Sequence, residues 1–412
     1  MTPSSLLLTA RDDELLGTAH RSDGMGVLPV WSERARDLVP HLTEQTTEVL
    51  GFQILVEAFR LWETWSGAHP QDAERADDFF VLVEQAYARV AGYHQAPGWN
   101  LPGRRRVEAR RHQPPHISLS DPGWHLLDAQ RANGVWGLYR GAASRAGLLD
   151  ETLTRLSSET LAAASAHPVF AWRADWQIRD LIGRAMAGET VPMPTHLRGH
   201  IPQGICAATS DPPLRGHLHE RLVEAHPLNR ALAERLLLLD PLEPLDHRAF
   251  LVNAAADLAD QRAALVGALR CEDLLAPLEA MLFWLCAHKG SSLELAANGL
   301  PIDLRDLERA RSAFADSGRY LGPSAAARHQ LFHTALRTDG RLALLRSVLD
   351  IHERVSKARG RAAWVWEDGG RLLCDVDLPL PSEAELSVGV AWRNDYYLRP
   401  LRLIAAQLRG PA

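Results

Sequence analysis

Lysine is nearly missing from this chain: of 45 basic residues only Lys289 and Lys357 are lysines, which leaves 43 arginines. Chemistry that needs an ammonium group or a Schiff base is therefore confined to two positions. Neither sits in a phosphate-cradling loop, because His288-Lys289-Gly290-Ser291-Ser292 does not follow the order G-x-x-x-x-G-K-[ST]. Glu353-Arg354-Val355-Ser356-Lys357 likewise has the wrong spacing for nucleases that place a lysine two residues after a carboxylate pair. Cysteine is scarce too. Cys206, Cys271, Cys286 and Cys374 form no C-x-x-C pair, which argues against zinc ribbons and redox dithiols and for a reduced, cytoplasmic chain. The serine-hydrolase elbow and the dinucleotide fingerprint are absent, and no cofactor is expected. No run approaches the roughly 18 apolar residues of a membrane span. The opening Met1-Thr2-Pro3-Ser4-Ser5 lacks the basic start of a signal peptide, so no membrane role is expected.

What remains is an ordinary composition of 412 residues with net charge -6 and 46% hydrophobic content, enough for two or three domains. Apolar residues recur at three and four over 45–65, 77–92, 148–165, 218–239 and 247–268, which predicts a mainly α fold. Asp246 is placed to cap the last of these, and the Asp240-Pro241 step to end the one before it. From Gly188 to Gly216 five prolines and four glycines break the pattern. The expected division is thus a helical domain at 1–190, a connection at 191–216, and a second helical domain at 217–412. Eight of the twelve tryptophans fall in the first 176 residues, which favours a separate first half. Residues 362–376 read as two short strands around Asp368-Gly369-Gly370, a small β-hairpin near the C-terminus. A last amphipathic helix at about 394–409 carries Leu398, Leu401, Ile404 and Leu408 on one face.

Several constellations could carry chemistry. His329 and His333 lie one helical turn apart, with His352 following, but Gln330 occupies the position a zincin gives to its general-base glutamate. A polar helix face is the preferred reading, and no metal is expected. His196, His200, His217, His219 and His226 form a second group, and His112 with His116 a third, without carboxylates at ligand spacing. Asp375 and Asp377 could hold a divalent ion on one strand face. Segments 274–286, 292–297 and 304–314 have helix-turn-helix lengths. Their third helix balances Asp303, Asp306 and Glu308 against Arg305, Arg309 and Arg311, which favours a packing unit over a DNA reader. The strongest charge feature is the run Arg104, Arg105, Arg106, Arg110 and Arg111, interrupted by Glu108 and set between prolines. It reads either as a solvated loop or as a nucleic-acid contact, with no aromatic residues interleaved.

Three segments share a texture that composition does not explain: Asp23-Gly24-Met25-Gly26 through Gly51-Phe52-Gln53, Gln130-Arg131-Ala132-Asn133-Gly134 through Gly147-Leu148-Leu149, and His352-Glu353-Arg354 through Arg359-Gly360 to Trp364. Together they resemble an uncharacterised bacterial family encoded beside helicases and nucleases in phage-defence islands. The resemblance implies a role and not a reaction; with the acidic net charge and the missing catalytic motifs, the first expectation is a non-enzymatic helical subunit that docks to other proteins of its operon. Direct nucleic-acid binding through the arginine run is the second expectation. A metal-dependent nuclease using Asp375, Asp377 and remote histidines is the third.

Overall fold

The computed structural model describes residues 23–93, 101–166, 172–194, 212–240, 243–316 and 321–409. The chain is mainly helical, as its periodicity requires. In order the α-helices of six or more residues are α1 (Leu28–Leu38), α2 (Val49–Ala68), α3 (Ala76–Tyr93), α4 (Arg104–Ala109), α5 (Val135–Arg145), α6 (Ser158–Ala166), α7 (Trp172–Met186) and α8 (Pro212–His219). They continue with α9 (Pro227–Leu236), α10 (His247–Asp257), α11 (Arg262–Ala287), α12 (Leu293–Gly299), α13 (Leu304–Ala315), α14 (Pro323–Ala335), α15 (Arg341–Ala358) and α16 (Leu398–Arg409). The described residues also contain two antiparallel two-stranded sheets: β1 (His116–Ile117) with β2 (Val191–Pro192), and β3 (Val365–Asp368) with β4 (Arg371–Cys374). No helix among the described residues is long and apolar enough to cross a membrane.

Three helical expectations change in detail, each for a local reason. The 148–165 pattern becomes helical only at Ser158, because Asp150 accepts hydrogen bonds from the Thr154 and Arg155 amides and folds the segment before it into a turn. The 218–239 pattern is broken by a π-helical turn at Glu220–Glu224 and restarts at Pro227. There the buried Asn229 amide donates to the Leu222 and Val223 carbonyls at 2.8 and 2.9 Å. The 247–268 pattern splits into α10 and α11, and Asp246 caps α10 by accepting from the Ala249 amide at 2.9 Å. The hairpin turns through Gly369 and Gly370 at φ +54° and +75°, the pair of positive angles that a type I′ turn demands.

The stretch 191–216 is described only at 191–194 and 212–216, and both pieces belong to one packed unit. The units are interleaved rather than consecutive. Unit 1 combines Met1–Leu38 with Pro244–Tyr396, and unit 2 combines Val39–Glu243 with Tyr397–Ala412.

Unit 1 is organised by α11, whose 26 residues include the interior Pro277 and which packs against α1, α10, α13, α15 and β4. The helix-turn-helix segments are α11 to α13, with Ser292 and Asp303 as N-caps. Leu293, Ala296, Leu307 and Phe314 are buried, and the Trp284 indole donates to the Ala296 carbonyl at 3.0 Å. The trio therefore builds core. One carboxylate lies fully inside it. Glu272 on α11 accepts from the amides of Arg393 and Asn394, from the Asn394 side chain at 3.0 Å and from the Tyr396 hydroxyl at 3.0 Å. Those bonds hold a turn in which Tyr396 takes a left-handed φ of +50°.

Unit 2 packs α2 against α3 and α5, with Phe59, Phe80 and Trp136 in mutual ring contact. Gly51 lets α2 touch α5, where the fully buried Tyr139 ring occupies the space a Cβ would need. The apolar face of α16, with Leu398, Leu401, Ile404 and Leu408 buried as expected, closes against α8 and α9.

Candidate functional site

The arginine run is not a loop: Arg104–Ala109 is the short helix α4, and Arg110 and Arg111 follow it directly. Two close approaches position it. Gly103 enters α4 at φ +86° against the Leu126 backbone, and the buried Val107 lies so near Gly92 of α3 that a Cβ there would sit 2.1 Å from its Cγ1. A third element holds it from below. Arg89 of α3 is 4% exposed and donates to the carbonyls of Arg106 at 2.8 Å, Trp124 at 2.9 Å and His125 at 3.2 Å. Burial, then the charges of Arg110 and Arg106, lower its pKa to about 10, so the guanidinium remains charged at neutral pH. Its Nε is buried with no acceptor among the described residues.

The exposed guanidinium groups are ordered on this scaffold. Arg104 pairs with Glu108 at 2.6 Å, Arg106 pairs with Asp128, and Arg110 lies 4.7 Å over the Trp124 ring. Arg111 donates to the His112 ring at 3.1 Å, and Arg105 is exposed. Arg104, Arg105, Arg106, Arg110 and Arg111 thus lie close together in sequence, with Glu108 and Asp128 paired to Arg104 and Arg106. Asp128 also borders a recess of about 330 Å³ with His125, Gln130 and Arg131.

A buried polar layer fixes the segment that supplies Trp124 and Asp128. Gln85 exchanges two hydrogen bonds with Ser118, donating to its carbonyl at 3.1 Å and accepting from its amide at 2.9 Å. Glu84, next to it on α3, accepts from the Gln130 side chain at 3.1 Å and the Val135 amide at 2.9 Å. Burial pushes the Glu84 carboxyl up to about 7, against the lowering effect of those donors. Gly134 is needed here, since a Cβ would stand 2.5 Å from Glu84 Oε2 and 2.6 Å from the Gln130 carbonyl.

Sequence reasoning found the five arginines and missed Arg89, Trp124 and Glu84. A signal was present for two of them: Glu84 and Arg89 interrupt the apolar pattern of α3, where an unpaired charge is costly unless something receives it.

Several of the histidines stack or bond within the fold. The His329 ring stacks on Phe314 at 4.2 Å and bonds its carbonyl at 2.8 Å, while the His333 carbonyl accepts from Arg311. His217 bonds Thr160 at 2.9 Å, and His116 bonds the Pro114 carbonyl at 2.8 Å. His196 and His200 lie outside the described residues. Among the described residues no three His, Cys, Asp or Glu side chains gather as a metal-holding group, and Asp375 and Asp377 are not joined there by histidines.

His352 ties together two of the three textured segments. Its Nδ1 donates to the Gly24 carbonyl at 2.8 Å, and its Nε2 accepts from the Trp364 amide at 3.1 Å, an arrangement open only to the neutral ring. Burial accordingly lowers its pKa. A group with a depressed folded-state pKa contributes stability that is present above the ordinary value of 6.5 and lost as pH falls. The stability difference between wild type and His352→Asn, measured by urea unfolding, should therefore shrink as pH drops below that value. A difference independent of pH would contradict the neutral-ring assignment.

Comparison with protein-family models, with curated proteins and with solved structures finds no match for this chain.

Proposed function

We propose that this protein is a non-enzymatic binding subunit of a bacterial nucleic-acid-handling assembly, and that α4 is where it meets the polynucleotide. The observation that carries this reading is the arginine scaffold: exposed guanidinium groups on a helix clamped by a buried arginine. Guanidinium groups match phosphate geometry, and fixing them in advance reduces the entropy lost on binding. Docking to other proteins of the same system is supported by the likeness of the three textured segments to a family encoded beside helicases and nucleases.

A fluorescent duplex of about 20 base pairs, titrated at several salt concentrations, tests the contact. Affinity should fall steeply with salt, and the triple variant Arg104→Ala, Arg105→Ala, Arg106→Ala should reduce the slope of log affinity against log salt by about 3. Arg309→Ala on the exposed face of α13 should leave the slope unchanged. Salt-insensitive binding, or equal slopes for wild type and the triple variant, would overturn the assignment.

A further inference from the structure

Unit 1 contains a groove of about 780 Å³ between α15 and β3. Its parity follows from the hairpin. The Asp375 amide donates to the Trp364 carbonyl at 2.9 Å, so the pairs Trp366 with Leu373 and Asp368 with Arg371 exchange the ladder bonds. The backbone groups of Val365 and Glu367 consequently point away from β4. On the far side of β4 the equivalent groups are taken, because Gly290 donates to the Leu372 carbonyl at 2.7 Å and Leu372 donates to the Ser291 carbonyl at 2.9 Å. β3 is thus the open edge of this sheet, and among the described residues the N–H and C=O groups of Val365 and Glu367 have no hydrogen-bond partner. Val365 is only 1% exposed, whereas Glu367 is exposed, so the accessible part of this edge is at Glu367.

The walls add side-chain preferences. Leu349 and Trp366 offer apolar surface. Asp350 and Arg346 are already paired, with Arg354 and Glu294. The remaining charges, Glu353, Glu367 and Asp375 against Lys357 and Arg361, form no ion pairs among the described residues and leave a net negative lining. We infer that this groove receives an extended peptide segment of a partner protein, which adds to β3 as a further strand and brings basic side chains to Glu353, Glu367 and Asp375. Main-chain pairing supplies the affinity, and alternate side chains facing the α15 wall supply the selectivity. The inference stands apart from the polynucleotide reading, since the two surfaces lie in different units.

The test selects peptides of about ten residues from a random displayed library against the full chain, then follows amide hydrogen exchange of the wild-type protein with the best peptide. Exchange at Glu367 should slow on addition, and the selected sequences should alternate β-branched or aromatic residues with arginine or lysine. Glu367→Pro removes an N–H that points out of the sheet, a substitution edge strands tolerate, and should weaken the peptide by at least about tenfold. The Arg104, Arg105, Arg106 triple variant should bind it normally. Three results would overturn the inference: peptides that bind without protecting the Glu367 amide, a library that yields no binder, or protection that grows with protein concentration alone, which would identify a second copy of this chain as the occupant. Because the exchange measurement uses wild-type protein, a poorly folded Glu367→Pro variant would not blur the outcome.

Discussion

Replacing Glu272 with alanine should destabilise unit 1 by about 3 kcal/mol or more, read as a lower urea midpoint. The carboxylate is fully buried and receives two backbone amides, one side-chain amide and one phenolic hydroxyl, all from residues 393–396. Removing it leaves those donors enclosed without acceptors, and each stranded donor costs roughly 1–3 kcal/mol unless water enters. Burial raises the Glu272 pKa, with the same donors opposing it. Glu272→Gln should therefore be the milder change, since an amide oxygen can still accept from the two backbone N–H groups. Equal losses for the two variants would show that the second carboxylate oxygen, which accepts from the Asn394 side chain and the Tyr396 hydroxyl, and not the cavity, sets the cost. The turn held by Glu272 also keeps Tyr396 at φ +50°, a conformation that costs a non-glycine residue about 1–3 kcal/mol and needs such anchoring to persist.

The second large effect is expected at Gly51 of α2. A methyl group there would lie 2.3 Å from two atoms of the Tyr139 ring. That ring cannot retreat easily, because it is buried, stacks edge-on to Phe52 at 5.0 Å and accepts a hydrogen bond from the Glu48 amide. Gly51→Ala should cost unit 2 about 2–3 kcal/mol through overpacking, despite the better helix propensity of alanine. Gly67 lies in the same helix with nothing within 4 Å of its would-be Cβ, and Gly67→Ala should instead gain about 0.5–1 kcal/mol. The opposite signs are the check. In a double-mutant cycle, Tyr139→Leu should recover part of the Gly51→Ala loss.

These cases mark how far the sequence could be read. Periodicity located the long helices, because an amphipathic face is a local property, and Asp246 and the Gly369-Gly370 turn were legible because caps and turns are local chemistry as well. The breaks inside 148–165, 218–239 and 247–268 were not, since they depend on Asp150, on the Pro227 restart and on which residues find a neighbour to pack against. At the arginine surface Arg104, Arg105, Arg106, Arg110 and Arg111 were visible close together in the sequence. Arg89 and Trp124 come to them through folding from elsewhere in the sequence, and no spacing rule connects position 89 with positions 106, 124 and 125. The β3 edge was invisible for the same reason. Its open side is defined by where Gly290 and Ser291 go, and these lie more than 70 residues before β3.

The interleaving of the two units also imposes an order on biosynthesis. Helix α1 leaves the ribosome early, with Val30, Trp31, Ala35 and Leu38 on the face that will be buried, yet α11, against which it packs, is more than 200 residues downstream. At about 5–20 residues per second that face waits roughly 10 s or longer for its mate. Unit 2 is delayed further, since α16 is translated after everything else in its core. Nascent-chain profiling should accordingly find holding chaperones engaged at α1 until the codons for α11 have passed, with release tied to translation and not to chain length alone.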